Sequence, residues 1–468
     1  MKFLGSILAF FIFFSGAALL HAQEIVPLKL KSEKKIVRSF MIPGKGLFFE
    51  IGKFKGLASY SFDNEMWHFS ESGDLVWSVP LPDAQVAKKA IDFFVGSPLS
   101  DFFYHVEAQT KKTADGKKHF YIHQVNEGAL KTLEVELVDD LEDWFVTQSG
   151  LHGVRYDDDK KGVFTLFSWS HSNMSPTEKE IDLPDDKGFT KWWFNGFNKD
   201  ELCFIRKSDL SGNPQKSHKS TQMEIAFISM NGEIQRINKH TIALGSDKYL
   251  LPHNDRSYSA GTVISHTGIK ESGSATILET NQNFTFEMFG NIWVNENGDY
   301  YVYGLYDNQD GEIAVDGLYV SHFSSDGSLM EAELYPLPNV LDHKHKMMFA
   351  QPQFTNVRFS SAPGRGFVLE FFDNVHFYTF DILDDLTLSE RSAVSEIVLS
   401  IGLIGKDWVG TSSFAPDQES FLEASEERAR SDNKLNAFRV TRYFGSADSY
   451  VLLASCADFN ELGFFGFD

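Results

Sequence analysis

An all-β fold is what this sequence predicts, and three observations predict it. Helical periodicity is nearly absent, short runs of β-branched and aromatic residues recur, and Gly, Asn and Asp turns divide those runs along the whole chain.

The turns carry a repeat. Trp67 to Pro82 (WHFSESGDLVWSVPLP), Ile122 to Val138 (IHQVNEGALKTLEVELV), Phe227 to Leu244 (FISMNGEIQRINKHTIAL) and Val320 to Pro338 (VSHFSSDGSLMEAELYPLP) share one pattern. Each is an apolar strand, a polar turn ending in Gly, and a second strand closing on an aliphatic residue. The turn glycine supplies the positive φ of a tight hairpin. In three of the four, the aliphatic closure follows ten residues later: Val138 after Gly128, Ile242 after Gly232, Leu337 after Gly327. The glycines sit at 73, 128, 232 and 327, so the last two steps are double ones, and weaker hairpins near Asn173 and Asn281 fill them. Two more follow, near Asp384 and Gly445. The mean step is about 53 residues, close to the roughly 40–50 of known blade repeats.

Two further strand-like runs precede most hairpins: FTKWWF and ELCFIR before Gly232, NIWVN and YYVYGLY before Gly327. Four strands per repeat predict a β-propeller spanning residues 23–468. Closure protects the sheet edges and buries the faces between blades, where the 44 Phe belong. A pair of β-sandwiches competes, but no Pro/Ser-rich linker interrupts the chain. Eight blades is the count of hairpins. Seven is the alternative, if residues 25–60 lend a strand to close the last blade. Two segments depart from the pattern. Pro416 and Asp417 open a predicted helical insertion over about 416–431, capped by Asp417 and carrying Arg428 and Arg430 late, as the helix dipole prefers. Residues 83–94 place Val86, Ala90, Ile91 and Phe94 at the spacing of a second short helix.

The run Asn295-Glu-Asn-Gly298-Asp-Tyr-Tyr301-Val-Tyr-Gly304 is similar to one turn of the bacterial β-propeller repeat, and the chain resembles the secreted multi-bladed propellers of bacteria. The resemblance implies architecture only. It covers the motif once, with Tyr-Tyr-Val-Tyr in place of the usual Asn-Ile-Tyr-Val, and carries over no functional residue.

Residues 1–22 read as a cleavable signal peptide: Lys2, an apolar stretch from Leu4 to Leu20, then Leu20-His21-Ala22 before Gln23. A Phe-rich leader followed by Gln looks like the exported proteins of Bacteroidota. No Cys follows the leader to accept a lipid, and no later stretch is apolar enough to cross a bilayer. Losing Lys2 takes the net charge from −22 to −23. So acidic a surface argues against nucleic acid and anionic lipid as partners. The two cysteines, Cys203 and Cys456, lie in apolar strand-like runs, packing as small hydrophobes or pairing once in an oxidising compartment.

No nucleophile elbow, dinucleotide or phosphate loop, H-E-x-x-H or C-x-x-C motif occurs. No cofactor is predicted. His343 and His345 share a strand face as weak metal candidates, opposed by Lys344 and Lys346, while His119 and His123 share another and are read as flanking a strand pair. Asp157-Asp158-Asp159 and Asp307-x-x-Asp310-Gly311-Glu312 invite calcium but miss the spacing of known loops and are read as acidic turns. More suggestive are acidic loops leading into tryptophan: Asp140 and Asp143 before Trp144, Asp186 before Trp192 and Trp193, Asp407 before Trp408. Each follows a closing strand, so each is expected on an inter-blade connection at the channel mouth. There, Trp would stack on the CH face of a sugar and carboxylates would accept its hydroxyls; the alternative is that Trp fills the inter-blade core. The expected function is an exported, monomeric, non-enzymatic binding or scaffold protein taking a glycan or an envelope protein. A polysaccharide lyase or glycoside hydrolase on the same scaffold is the alternative.

Overall fold

The computed structural model describes residues 24–466, apart from 55–60, 83–88, 209–217, 255–262, 267–286, 309–314, 338–352, 397–415, 434–438 and stretches of four residues or fewer. The described chain forms seven antiparallel blades in succession, each four strand positions wide. In the first six the spatial order follows the chain order, in the seventh the chain's first strand is outermost, and the second and fifth each carry one further strand segment. The blades run over 34–80, 89–137, 143–182, 193–243, 249–336, 353–396, and finally 439–466 with 24–28. This is the β-propeller, with a helix at Pro416–Ser431 where the sequence places one. Among the described residues the blades number seven. The hairpin near Asn281 that brought the count to eight falls outside the described residues.

Burial runs from the inside of each blade outward. All four residues of the inner strand Asp143–Val146 are buried, whereas six of the seven in the outer strand Pro176–Asp182 are exposed. The core is accordingly divided among the clefts between blades. Phe145, Phe164, Phe194, Phe197 and Phe204 fill the cleft between blades 3 and 4, with the Phe145 and Phe194 rings stacked at 4.1 Å. Phe49 of blade 1 meets Leu453 and Leu462 of blade 7, which closes the ring through side chains. Backbone closes it as well. Glu24–Leu28 pairs with the last strand, Phe459–Gly466, as the outermost strand of blade 7.

The repeated turn glycines dock each blade on its predecessor. In blades 2, 4 and 5 the glycine lies against Trp77, Lys179 and Asn238 of the preceding blade. Gly73 of blade 1 has φ +88°, and a Cβ there would fall 2.5 Å from Phe464 and 3.0 Å from Val26 of blade 7. Gly73→Ala is therefore expected to cost at least about 1–2 kcal/mol, combining left-handed strain with the clash. Gly116→Ala provides the control, since Gly116 has φ +83° and no atom within 4 Å of the place its methyl group would take. Denaturation midpoints of the two variants separate strain from docking; equal midpoints would remove the docking term.

Residues 89–96 correct one expectation. Helical spacing across 83–94 predicts a helix, yet Lys89–Gly96 is the inner strand of blade 2, and 83–88 lie outside the described residues. An inner strand is buried on both faces. Phe93 packs in the cleft toward blade 3 and Phe94 in the cleft toward blade 1, so polar alternation is lost and apolar residues fall by chance at helical spacing.

Blade 5 is interrupted. Its inner position is filled by two pieces, Tyr249–Leu251 and Asn291–Val294, both paired with Tyr300–Asp307. Within the excursion between them, Val263–His266 pairs with Lys89–Gly96, the inner strand of blade 2 on the far side of the ring. His253–Asn254 pairs with Glu287–Met288. Residues 263–266, from the excursion of blade 5, thus lie beside the inner strand of blade 2. Cys203 is buried and free, so the bridge to Cys456 is not formed. Among the described residues no helix is long and apolar enough to cross a membrane.

Candidate functional site

The registers fix which loops share one end of the propeller. In blade 3, Asp143 opens the inner strand opposite Val154, Tyr156 ends the second strand opposite Phe164, and Val163 begins the third opposite Asp182. Residues 141–142 and the acidic loops 157–162 and 183–192 therefore gather at one end of blades 3 and 4.

Tyr156 ties that end together. Its hydroxyl donates to Asp143, which is buried, and accepts from the backbone N–H of Phe194 at 2.7 Å. Its own N–H donates to a carboxylate oxygen of Glu142 at 2.9 Å, and its ring meets Trp193 edge-on at 4.8 Å. Lysines tie the loops from above: Lys161 Nζ donates to the Phe189 carbonyl at 2.8 Å, and Lys191 Nζ to the Asp157 carbonyl at 2.9 Å. Glu142, Asp158, Asp159, Asp185 and Asp186 remain exposed around this end. Partial withdrawal from water raises the pKa of Glu142, and the nearby charges of Asp143 and Asp158 push it the same way.

The tryptophans divide. Trp144 is buried in the cleft between blades 2 and 3, stacked on Trp169 at 5.5 Å. Trp192 is fully buried, with its indole N–H on the Pro184 carbonyl at 2.9 Å and the Arg206 guanidinium 4.7 Å from its ring. Both fill inter-blade core and offer no face to a ligand, because the residues entering an inner strand point into the clefts on either side of it. Trp193 is half-buried and keeps surface at the acidic end. Asp186 is exposed and paired with Arg206. Asp140, Asp407 and Trp408 lie outside the described residues, as do His343 and His345. Of the calcium candidates, Asp157 directs Oδ1 to the N–H groups of Asp159 and Lys160, both at 2.8 Å, and Asp158 lies 3.7 Å from Lys191 Nζ. Asp307 is buried, and Asp310, Gly311 and Glu312 lie outside the described residues.

Tyr156 and Lys191 are participants that the sequence pattern did not single out. The signal for Tyr156 was its place immediately before three aspartates at a strand end. Its contacts to Asp143 and Phe194 join two blades, and no local pattern announces those.

No family model matches the sequence, and no curated protein matches it. Among solved structures, the chain is similar to the β-propeller domain of Nup133 from Vanderwaltozyma polyspora, at 8% identity and a TM-score of 0.39, covering 94% of this chain and 99% of that one. It is also similar to the β-propeller domain of the Trilobed protease from Pyrococcus furiosus, which has an open velcro topology, at 11% identity and a TM-score of 0.31, covering 81% and 96%. The acylaminoacyl peptidase of Pyrococcus horikoshii follows at 10% identity and a TM-score of 0.28, covering 77% of this chain and 57% of that one.

Proposed function

We propose that this chain is an exported, non-enzymatic binding propeller that takes a glycan at the acidic end of blades 3 and 4. The observation that supports this most is Trp193: a half-buried indole beside Tyr156, with exposed carboxylates around it. A pyranose CH face packs on such an indole, and carboxylates accept hydroxyl hydrogen bonds. A peptidase cut after Ala22 would leave the closure strand Glu24–Leu28 whole, which is compatible with export. An envelope protein bound at the same end is the protein-partner version of this reading.

Trp193→Ala is expected to weaken glycan binding about tenfold, which is ~1.4 kcal/mol, with the fold retained by circular dichroism. Glycan arrays followed by titration of the best hit provide the measurement. Binding unchanged by Trp193→Ala removes the site. The raised pKa of Glu142 beside Asp143 and Asp158 favours a second reading, a glycosidase with Glu142 as general acid. Reducing-sugar release from a polysaccharide panel, abolished by Glu142→Gln, would replace binding with hydrolysis.

A further inference from the structure

We propose that His105, Glu107 and His123 form a buried divalent-metal site in blade 2, with Zn²⁺ as the ion the donor set favours. His105 and Glu107 lie two apart on the strand Phe103–Gln109, and His123, on Lys118–Asn126, sits directly opposite His105. All three share the face of Phe103 and Val125, which belong to the cleft toward blade 1. Each is 2% exposed or less, and each offers one ligand atom within 4.8 Å of the other two.

The distances suit an ion better than hydrogen bonds. His105 Nε2 lies 3.6 Å from one Glu107 oxygen, and His123 Nε2 lies 3.7 Å from the other. Both exceed ordinary hydrogen-bond length. Ligand atoms at about 2.0–2.1 Å from tetrahedral zinc are about 3.4 Å apart, so these two edges are close to those of an occupied site.

His123 supplies the directional argument. Its Nδ1 is 2.8 Å from the Thr132 hydroxyl, and its Nε2, fully buried, makes no hydrogen bond. With Nδ1–H donating to Thr132, Nε2 carries a lone pair and faces a carboxylate oxygen. Two lone pairs turned toward each other repel, and a cation between them reverses the sign. A hydroxyl on the remote ring nitrogen is also the outer-shell support that metal-bound imidazoles use. His105 is held by stacking on Phe94 at 4.4 Å. The Arg38 guanidinium stacks on the same Phe94 at 4.6 Å and pairs with Glu50. Two imidazoles and one carboxylate are a borderline set that suits Zn²⁺ and leaves a fourth position for water. So deeply buried an ion would fasten the second and third strands of blade 2 where blade 1 packs on them.

The test is metal content of the full chain expressed in zinc-supplemented medium, read by mass spectrometry together with zinc X-ray absorption. One zinc per chain is expected, with two imidazole nitrogens in its first shell. Glu107→Gln and His123→Asn should each bring zinc below one tenth per chain, while His119→Ala, which changes a neighbouring imidazole paired with Glu134 and Glu136, should leave it at one. Substoichiometric zinc in the unsubstituted chain, or a first shell without two imidazoles, overturns the site. So does zinc that survives both substitutions. The absorption measurement needs no variant, so it decides the question even if both variants unfold.

Discussion

Replacing Arg206 with Met should lower the free energy of unfolding by about 3–5 kcal/mol, the cost of stranding a buried charge. Arg206 lies in blade 4 on the strand Glu201–Lys207 and is 1% exposed. Its Nε and Nη2 both donate to Glu224 Oε2, Nη1 donates to the Pro184 carbonyl at 2.6 Å, and its guanidinium stacks over Phe189 and Trp192. Methionine fills much of the volume but leaves the Glu224 carboxylate with only Lys239, 2.8 Å away on a side chain that is 68% exposed. The other acid in the network, Asp186, is 55% exposed, so Asp186→Asn should cost less than about 1 kcal/mol. The contrast identifies the mechanism. If stranded charge is the cause, Arg206→Met/Glu224→Gln will be more stable than Arg206→Met alone, because no carboxylate is then left in the cleft. Guanidinium chloride denaturation at unchanged m-value measures all three variants. A loss at Arg206→Met no larger than at Asp186→Asn would mean that the charge is solvated in the native state.

The fold was legible wherever a local rule and the ring geometry agree. A turn such as Ser72-Gly73-Asp74 needs positive φ for its hairpin, and the neighbouring blade leaves its glycine no room for a Cβ, so one residue type satisfies both demands. The abundance of Phe was legible for the same reason, since the clefts between blades bury Phe side chains together with aliphatic ones. Lys89–Gly96 misread as helical because an inner strand buries both faces, and period-2 alternation survives only where one face meets water. The division among the tryptophans was illegible for a related cause. Trp192 and Trp193 are adjacent, and which of them enters the cleft is set by the register of Trp193 with Ile205, a pairing that the sequence does not state. The cluster at His123 was half legible: His119 and His123 share a face in sequence, but the partners that matter, His105 and Glu107, arrive from the next strand.

Deleting residues 24–28 should be the most damaging change to this chain, and the reason is topological as well as local. The segment pairs Glu24 with Phe464 through Leu28 with Asn460, buries Leu28 in the cleft between blades 7 and 1, and supplies Val26 beneath Gly73. Without it Phe459–Gly466 becomes a bare edge, and bare edges pair with other chains. Loss of the cooperative transition and self-association in analytical ultracentrifugation are the expected results. Two roles are combined in that loss, and a rearranged chain separates them. Moving residues 24–28 beyond Gly466 through a short turn restores the antiparallel pairing, while the covalent link from this strand to Lys34, the first residue of blade 1, is gone. If the strand acts only by covering an edge, the rearranged chain should unfold at the midpoint of the original. If it also ties blade 7 to blade 1, the rearranged chain should fold as a monomer with a lower midpoint, because Phe49, Leu453 and Leu462 must then hold the cleft by packing alone. We expect the second result: blade 1 docks on blade 7 through Gly73 as well as through that cleft, and both contacts lie on surfaces that the link from Leu28 to Lys34 brings together.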